Sequence, residues 1–91
     1  MKLSDDGETV EFKSVSPSFE RERDSQKCNT VRMFTNAAEQ DRFVSALFGL
    51  VMVKIMNSET RESFERCISD VTCWTYPGFD TIYIISWREI K

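Results

Sequence analysis

The sequence predicts a small α+β domain in which about five strands and one or two helices wrap into a strongly curved sheet or partly open β-barrel. Three observations lead there. The chain has 91 residues, which make a single domain over 1–91 and leave no room for a separate cofactor domain. Strand-like alternation recurs toward both ends. One well-signalled helix lies between.

Asp5, Asp6, Gly7 and Glu8 signal a turn, since an Asp-Gly pair favours backbone conformations that reverse the chain. Residues 9–13 follow with alternating polar and apolar side chains, the period of a half-buried strand. Ser16 reads as a helix N-cap with Pro17 at the first helical position, where a missing N–H costs nothing. Phe19 anchors this short helix, and Glu20, Arg21, Glu22 and Arg23 form a solvated run that ends near Asp24 and Ser25. Alternation resumes over 27–34, with Thr30 and Arg32 on one face and Val31 and Met33 on the other.

Asn36 and Glu39 have the spacing of a capping box. The helix they open carries Phe43, Val44, Leu47 and Phe48 as one apolar stripe and stops at Gly49. Residues 50–56 are almost continuously apolar, which predicts a central strand buried on both faces. Residues 57–60 turn the chain into a strand over 63–71, and residues 76–80 break it again. The run 81–87 is the strongest strand signal, with Trp87 directed to the core.

Composition excludes many functions. There is no histidine, which removes Ser-His-Asp and Cys-His nucleophiles, histidine metal sites and histidine pH switches. Twelve Lys plus Arg against fifteen Asp plus Glu give a net charge of −3, a poor profile for gripping duplex nucleic acid by its backbone. Gly7, Gly49 and Gly78 are too dispersed for a phosphate-cradling loop. Cys28, Cys67 and Cys73 are odd in number and form no C-x-x-C pair, which predicts reduced, mostly buried thiols and no metal site. Residues 1–14 lack the apolar segment of a signal peptide, and the longest apolar stretch, 43–53, falls short of the ~20 residues that span a bilayer. The expectation is a soluble cytoplasmic protein without cofactor, metal or membrane partner.

Lys27, Thr30 and Arg32 are the polar residues that draw attention. Thr30 and Arg32 project to one face of a strand, and Lys27 lies at its start, where its ammonium can swing over that face. A hydroxyl beside a partly buried lysine is a sensible nucleophile–base pair. The ordinary reading is a solvated loop lysine and an arginine paired with one of many carboxylates, and spacing alone favours it. Trp74, Tyr76, Phe79, Tyr83 and Trp87 concentrate aromatic rings near the end of the sequence. Some belong to the core, while Trp74 and Tyr76, beside a turn, are placed to stack on a base, an interaction worth ~1–3 kcal/mol.

The segment Ser25, Gln26, Lys27, Cys28, Asn29, Thr30, Val31, Arg32 resembles the signature of the ASCH domains, a branch of the PUA-like barrel superfamily. That signature is written G-x-K-x-x-E-x-R, and one subset carries threonine in place of the glutamate. Lys27, Thr30 and Arg32 match the subset in type and spacing, while Ser25 departs from the glycine. A short helix with an aromatic residue, Phe19, before the motif and a Tyr-Pro-Gly turn leading into an aromatic-rich last strand agree with it. The resemblance implies a PUA-like barrel with a pocket for RNA or a modified nucleoside. It also points to the small amidohydrolases that deacetylate N4-acetylcytidine with a lysine, a threonine three residues later and a distant glutamate. By that analogy Lys27 acts as base or polariser, Thr30 as nucleophile, and Arg32, with Trp74 and Tyr76, as substrate-binding residues. No motif marks the glutamate. Glu62 and Glu65 are the substitutes, Glu65 being taken as the third catalytic candidate, although both also read as residues of a solvated strand edge.

Two function classes result. One is a nucleoside- or RNA-binding ASCH-like domain with amidohydrolase activity as its further possibility. The other is a non-enzymatic protein-binding module, of the phage or mobile-element inhibitor type, acting through an acidic surface or an exposed edge strand. Convergence of Lys27, Thr30 and Arg32 on one concavity marks the first; splayed side chains and an apolar patch elsewhere mark the second.

Overall fold

The computed structural model describes residues 1–88. In chain order these form β1 (Lys2–Leu3), β2 (Thr9–Ser14), α1 (Ser18–Arg23), β3 (Asn29–Met33), α2 (Ala37–Ala46), β4 (Met52–Asn57), β5 (Ser63–Trp74) and β6 (Ile82–Trp87), with a 3-10 turn over Leu47–Gly49. The strands make one six-stranded sheet in the order β1-β2-β4-β5-β6-β3. β2 and β4 run parallel and every other neighbouring pair antiparallel. The α+β class agrees with the sequence. The sheet is not closed into a barrel: β1 and β3 remain its edges, the open form of the curved sheet that the sequence predicts, with six strands rather than five. The two-residue β1, too short to show alternation, pairs only with Val10 and Glu11 and leaves the second half of β2 without a ladder on that side.

Curvature enters through β5. Its first half pairs with β4 over Ser63 to Cys67, and its second half pairs with β6 up to Trp74. The register shifts between Ile68 and Asp70, and such a bulge bends the strand and increases its twist. The strand thus runs past 71 by changing neighbours rather than ending.

Inward alternation builds the core from Val10 and Phe12, Val53 and Ile55, Phe64, and Tyr83, Ile85 and Trp87. Register aligns Phe12, Ile55 and Phe64 in one row. The Phe43 ring lies 5.1–6.1 Å from those of Phe12, Phe34 and Tyr83, and Phe19 reaches Phe64 at 5.4 Å. β4 is buried on one face only, since Met52, Lys54 and Met56 are half-buried between the inward Val53, Ile55 and Asn57. Nothing among the described residues covers its other face fully.

Four further expectations change. Asn36 does cap α2, accepting from the N–H groups of Ala38 and Glu39, but Glu39 pairs with the Met1 amino group at 3.1 Å instead of reaching back. The apolar stripe contracts to Phe43 and Leu47. The α-helix tightens into the 3-10 turn, whose larger rotation per residue helps carry Phe48 out to full exposure. Ser16 is not a cap: Pro17 takes that position and the Ser16 hydroxyl donates to Glu20. The thiols are also more accessible than expected, Cys28 being half-buried and Cys67 and Cys73 exposed on the poorly covered β5. No helix among the described residues is long and apolar enough to cross a membrane.

Phe43→Ala should cost about 3–5 kcal/mol, whereas Phe48→Ser should stay within about 0.5 kcal/mol; urea unfolding at constant m compares them. The Ser4 hydroxyl holds Asp6 below the usual carboxylate range, the Ser16 hydroxyl does the same for Glu20, and Arg23 for Asp24. A depressed folded-state pKa adds stability that is complete above the unfolded value, near pH 4, and disappears as pH falls through the folded value. Thermal melts should therefore show a decline beginning around pH 4–5, modest because Asp6 and Asp24 are exposed and Glu20 is only half-buried.

Candidate functional site

Phe19 pins α1 across the inward face, and its position fixes the orientation of the helix. Glu22, three residues later, shares that face and is carried inward to 1% exposure. The chain then turns back on itself: the backbone N–H groups of Gln26 and Lys27 both donate to the Arg21 carbonyl, at 3.0 and 3.1 Å. Ser25 adopts φ +62° in this turn. Trp87 N–H donates to the Cys28 carbonyl at 3.0 Å, which secures the start of β3 beside β6. Lys27 is thereby held near the end of α1.

On β3, Thr30 sits opposite Ile85 and Arg32 opposite Tyr83, both buried core residues. Arg32 turns across the open side of the sheet. Its Nε donates to Thr30 Oγ1 at 3.0 Å, Nη1 to the Lys13 carbonyl at 2.7 Å, and Nη2 to Ser14 Oγ at 2.8 Å. The guanidinium lies over the Phe12 ring, 4.8 Å from its centroid, close enough for cation–π attraction. Ser14 passes the contact on, donating to Glu22 Oε1 at 3.3 Å. Burial pushes the Arg32 pKa down from its ordinary value while the Glu22 charge opposes the shift. Arginine is basic enough to remain a cation throughout.

These residues line a cleft of about 270 Å³ between β2, α1 and β3. Lys13, Lys27 and Arg32 bring positive charge to it, Thr30 a hydroxyl and Glu22 a carboxylate. Arg32 spends three donors on the fold and acts mainly as a positioning residue. Lys27 forms no ion pair among the described residues. Glu22 Oε2 is buried and has no hydrogen-bond partner among them.

Three of the six sequence candidates therefore meet: Lys27, Thr30 and Arg32. The other three lie elsewhere. Glu65 is exposed on β5 opposite Lys54, beside a polar groove that includes Lys2 and Glu11. Glu62, weighed beside Glu65 as a substitute carboxylate, is held by Arg23 at 2.6 Å. Trp74 and Tyr76 stack at 26° with centroids 6.5 Å apart near the end of β5, and Tyr76 faces an apolar groove with Met33, Phe79 and Ile82. Sequence reasoning missed Glu22, placing it in a solvated charge run. Its i+3 relation to the anchor Phe19 was the available signal.

Comparison with protein-family models, with curated proteins and with solved structures finds no match to this chain.

Arg32→Lys cannot reproduce the three-way fork and should cost about 2 kcal/mol, lowering Tm by roughly 10 °C for a domain of this size. Lys27→Ala removes no ion pair among the described residues and should stay within about 0.5 kcal/mol. Differential scanning calorimetry of the two variants tests the division between a residue that holds the fold and one free for a ligand.

Proposed function

We propose that this cleft binds a single modified nucleoside of RNA origin, with N4-acylated cytidine as the ligand class, in an ASCH-like manner. The observation that carries the reading is the convergence of Lys27, Thr30 and Arg32 on one concavity. Two further facts support it. Ser25, where the signature has glycine, holds a left-handed φ of +62°, a conformation glycine adopts without steric cost. The cleft volume of about 270 Å³ lies just below the range of drug-sized sites and fits one nucleobase better than a strand. A local cationic cluster within an acidic chain likewise suits one ligand rather than a long phosphate track. Free thiols at Cys28, Cys67 and Cys73 suit a reducing compartment, and the proposal places the activity in the cytoplasm.

Binding is better supported than hydrolysis. Thr30 Oγ1 accepts from Arg32 Nε, which draws electron density from the oxygen that would attack an acyl carbon. No hydrogen bond joins Thr30 to a proton acceptor among the described residues. Lys27 is then the donor to a ligand carbonyl, and Thr30 offers its O–H beside it. Titration with N4-acetylcytidine should raise the wild-type Tm and leave that of Lys27→Ala unmoved. Mass spectrometry of the same mixtures reports on chemistry: cytidine and acetate released by wild type but not by Thr30→Val would make the protein an amidohydrolase. Absence of both a thermal shift and turnover in the wild type would overturn the nucleoside reading.

A protein-binding role is the second reading, and a specific patch favours it. Trp74, Ile82 and Met33 are register partners across β5, β6 and β3 and lie side by side. Trp74 and Met33, with Tyr76, Phe79 and Val31, are half or more exposed, an unusual concentration for a free surface. Capture of a protein by wild type that is lost in Met33→Asp, with nucleoside binding unchanged, would assign the activity to this face.

A further inference from the structure

The Glu22 carboxylate is unusual for a group so deeply buried. Only 1% of the residue is exposed, Oε1 is satisfied by the Ser14 hydroxyl at 3.3 Å, and Oε2 has no partner among the described residues. A buried acceptor without a donor destabilises the fold. Glu22 nevertheless lines the same cleft as Lys27 and Thr30. Lys27 supplies donors and no acceptor, while Glu22 has an acceptor still unfilled. The two together demand a ligand with an N–H donor beside a carbonyl or ring-nitrogen acceptor, the pattern of an amide or of an aminopyrimidine edge.

We propose that Glu22 is the specificity-determining residue of this cleft, accepting a hydrogen bond from an exocyclic N–H of the ligand base through Oε2 while Lys27 meets the adjacent acceptor. This rests on the nucleoside reading and narrows it to bases that retain such an N–H. Cytidine and its N4-monosubstituted derivatives qualify. N4,N4-dialkylated cytidines do not, because they would leave the carboxylate oxygen buried and unpaired.

The test is calorimetric titration with cytidine, N4-methylcytidine and N4,N4-dimethylcytidine. The monomethyl compound adds bulk yet keeps one N–H, so the step from mono- to dimethyl isolates the hydrogen bond. Wild type should bind the dimethyl compound about 10–100-fold more weakly than the monomethyl one, the range for a lost bond to a charged group. Glu22→Met, which removes the acceptor while keeping the side-chain length, should compress that ratio below about threefold. Glu22→Gln, a neutral acceptor of the same shape, should give an intermediate ratio and guards against a Met variant that fails to fold. Equal wild-type affinity for the mono- and dimethyl compounds would refute the role of Glu22 and leave nucleoside binding standing. Failure of wild type to bind all three would instead overturn the nucleoside reading, and this inference with it.

Discussion

The structure depends on one side chain spanning a gap that the backbone leaves open. β1 covers only the first half of β2, so Phe12, Lys13 and Ser14 have β4 on one side and no strand on the other. Arg32 fills that place from β3, reaching the Lys13 carbonyl, Ser14 Oγ and Thr30 Oγ1 while its flat face covers Phe12. A planar fork can satisfy several acceptors at fixed angles; a lysine at the same place has one point of charge and cannot. The arrangement also explains why the sheet remains open. A guanidinium bridge joins two strands at one position, whereas a ladder would join them along their length.

The bridge works because other elements bring β3 to it. The bulge in β5 turns the sheet so that β6, and β3 beyond it, swing toward β2. Phe19 sets α1 across the same end, against Phe64, and Phe64 in turn meets Trp87 at 6.2 Å. The cleft is the space left between these parts, walled by β2, α1 and the edge of β3. Its polar lining therefore comes from three consecutive elements and from the turn that joins α1 to β3. Glu22, Thr30 and Arg32 are positioned on regular elements by packing, while Lys27 is held by the turn between α1 and β3 through its backbone bond to the Arg21 carbonyl.

What could be read in advance follows from how local each signal is. Thr30 and Arg32 were legible because strand alternation alone places them on one face, and Lys27 because it immediately precedes that strand. Glu22 was not. Four successive charged residues dominate any composition-based reading of α1, and only the pairing of Phe19 with Glu22 across one helical turn identifies the inward carboxylate. Phe48 misled for the opposite reason: the helical period holds through Phe43 and Leu47, but the 3-10 turn breaks it one residue later. Glu65 alternates in the strand as expected, yet the register sets it opposite Lys54 on the outward side, and register is a non-local property. The brevity of β1 and the failure of the barrel to close have the same origin, because both depend on which strand meets the free side of β2.

The clamp ties stability to recognition unevenly, and that unevenness decides which residues report on function. Arg32 holds Thr30 and Ser14, and Ser14 in turn orients Glu22, so removing the guanidinium disturbs the fold and the site together. A change at Arg32 or Thr30 therefore acts on stability and recognition together, so stability and turnover are read side by side. Lys27, beside this network, and the second carboxylate oxygen of Glu22, at its end, each have hydrogen-bonding capacity that the described fold does not use. Natural chains tend to carry such destabilising polar groups where function needs them. An ammonium without an ion-pair partner among the described residues and a buried carboxylate with one oxygen unpartnered among them leave this cleft with both donor and acceptor capacity, and a group that filled both would donate and accept at once.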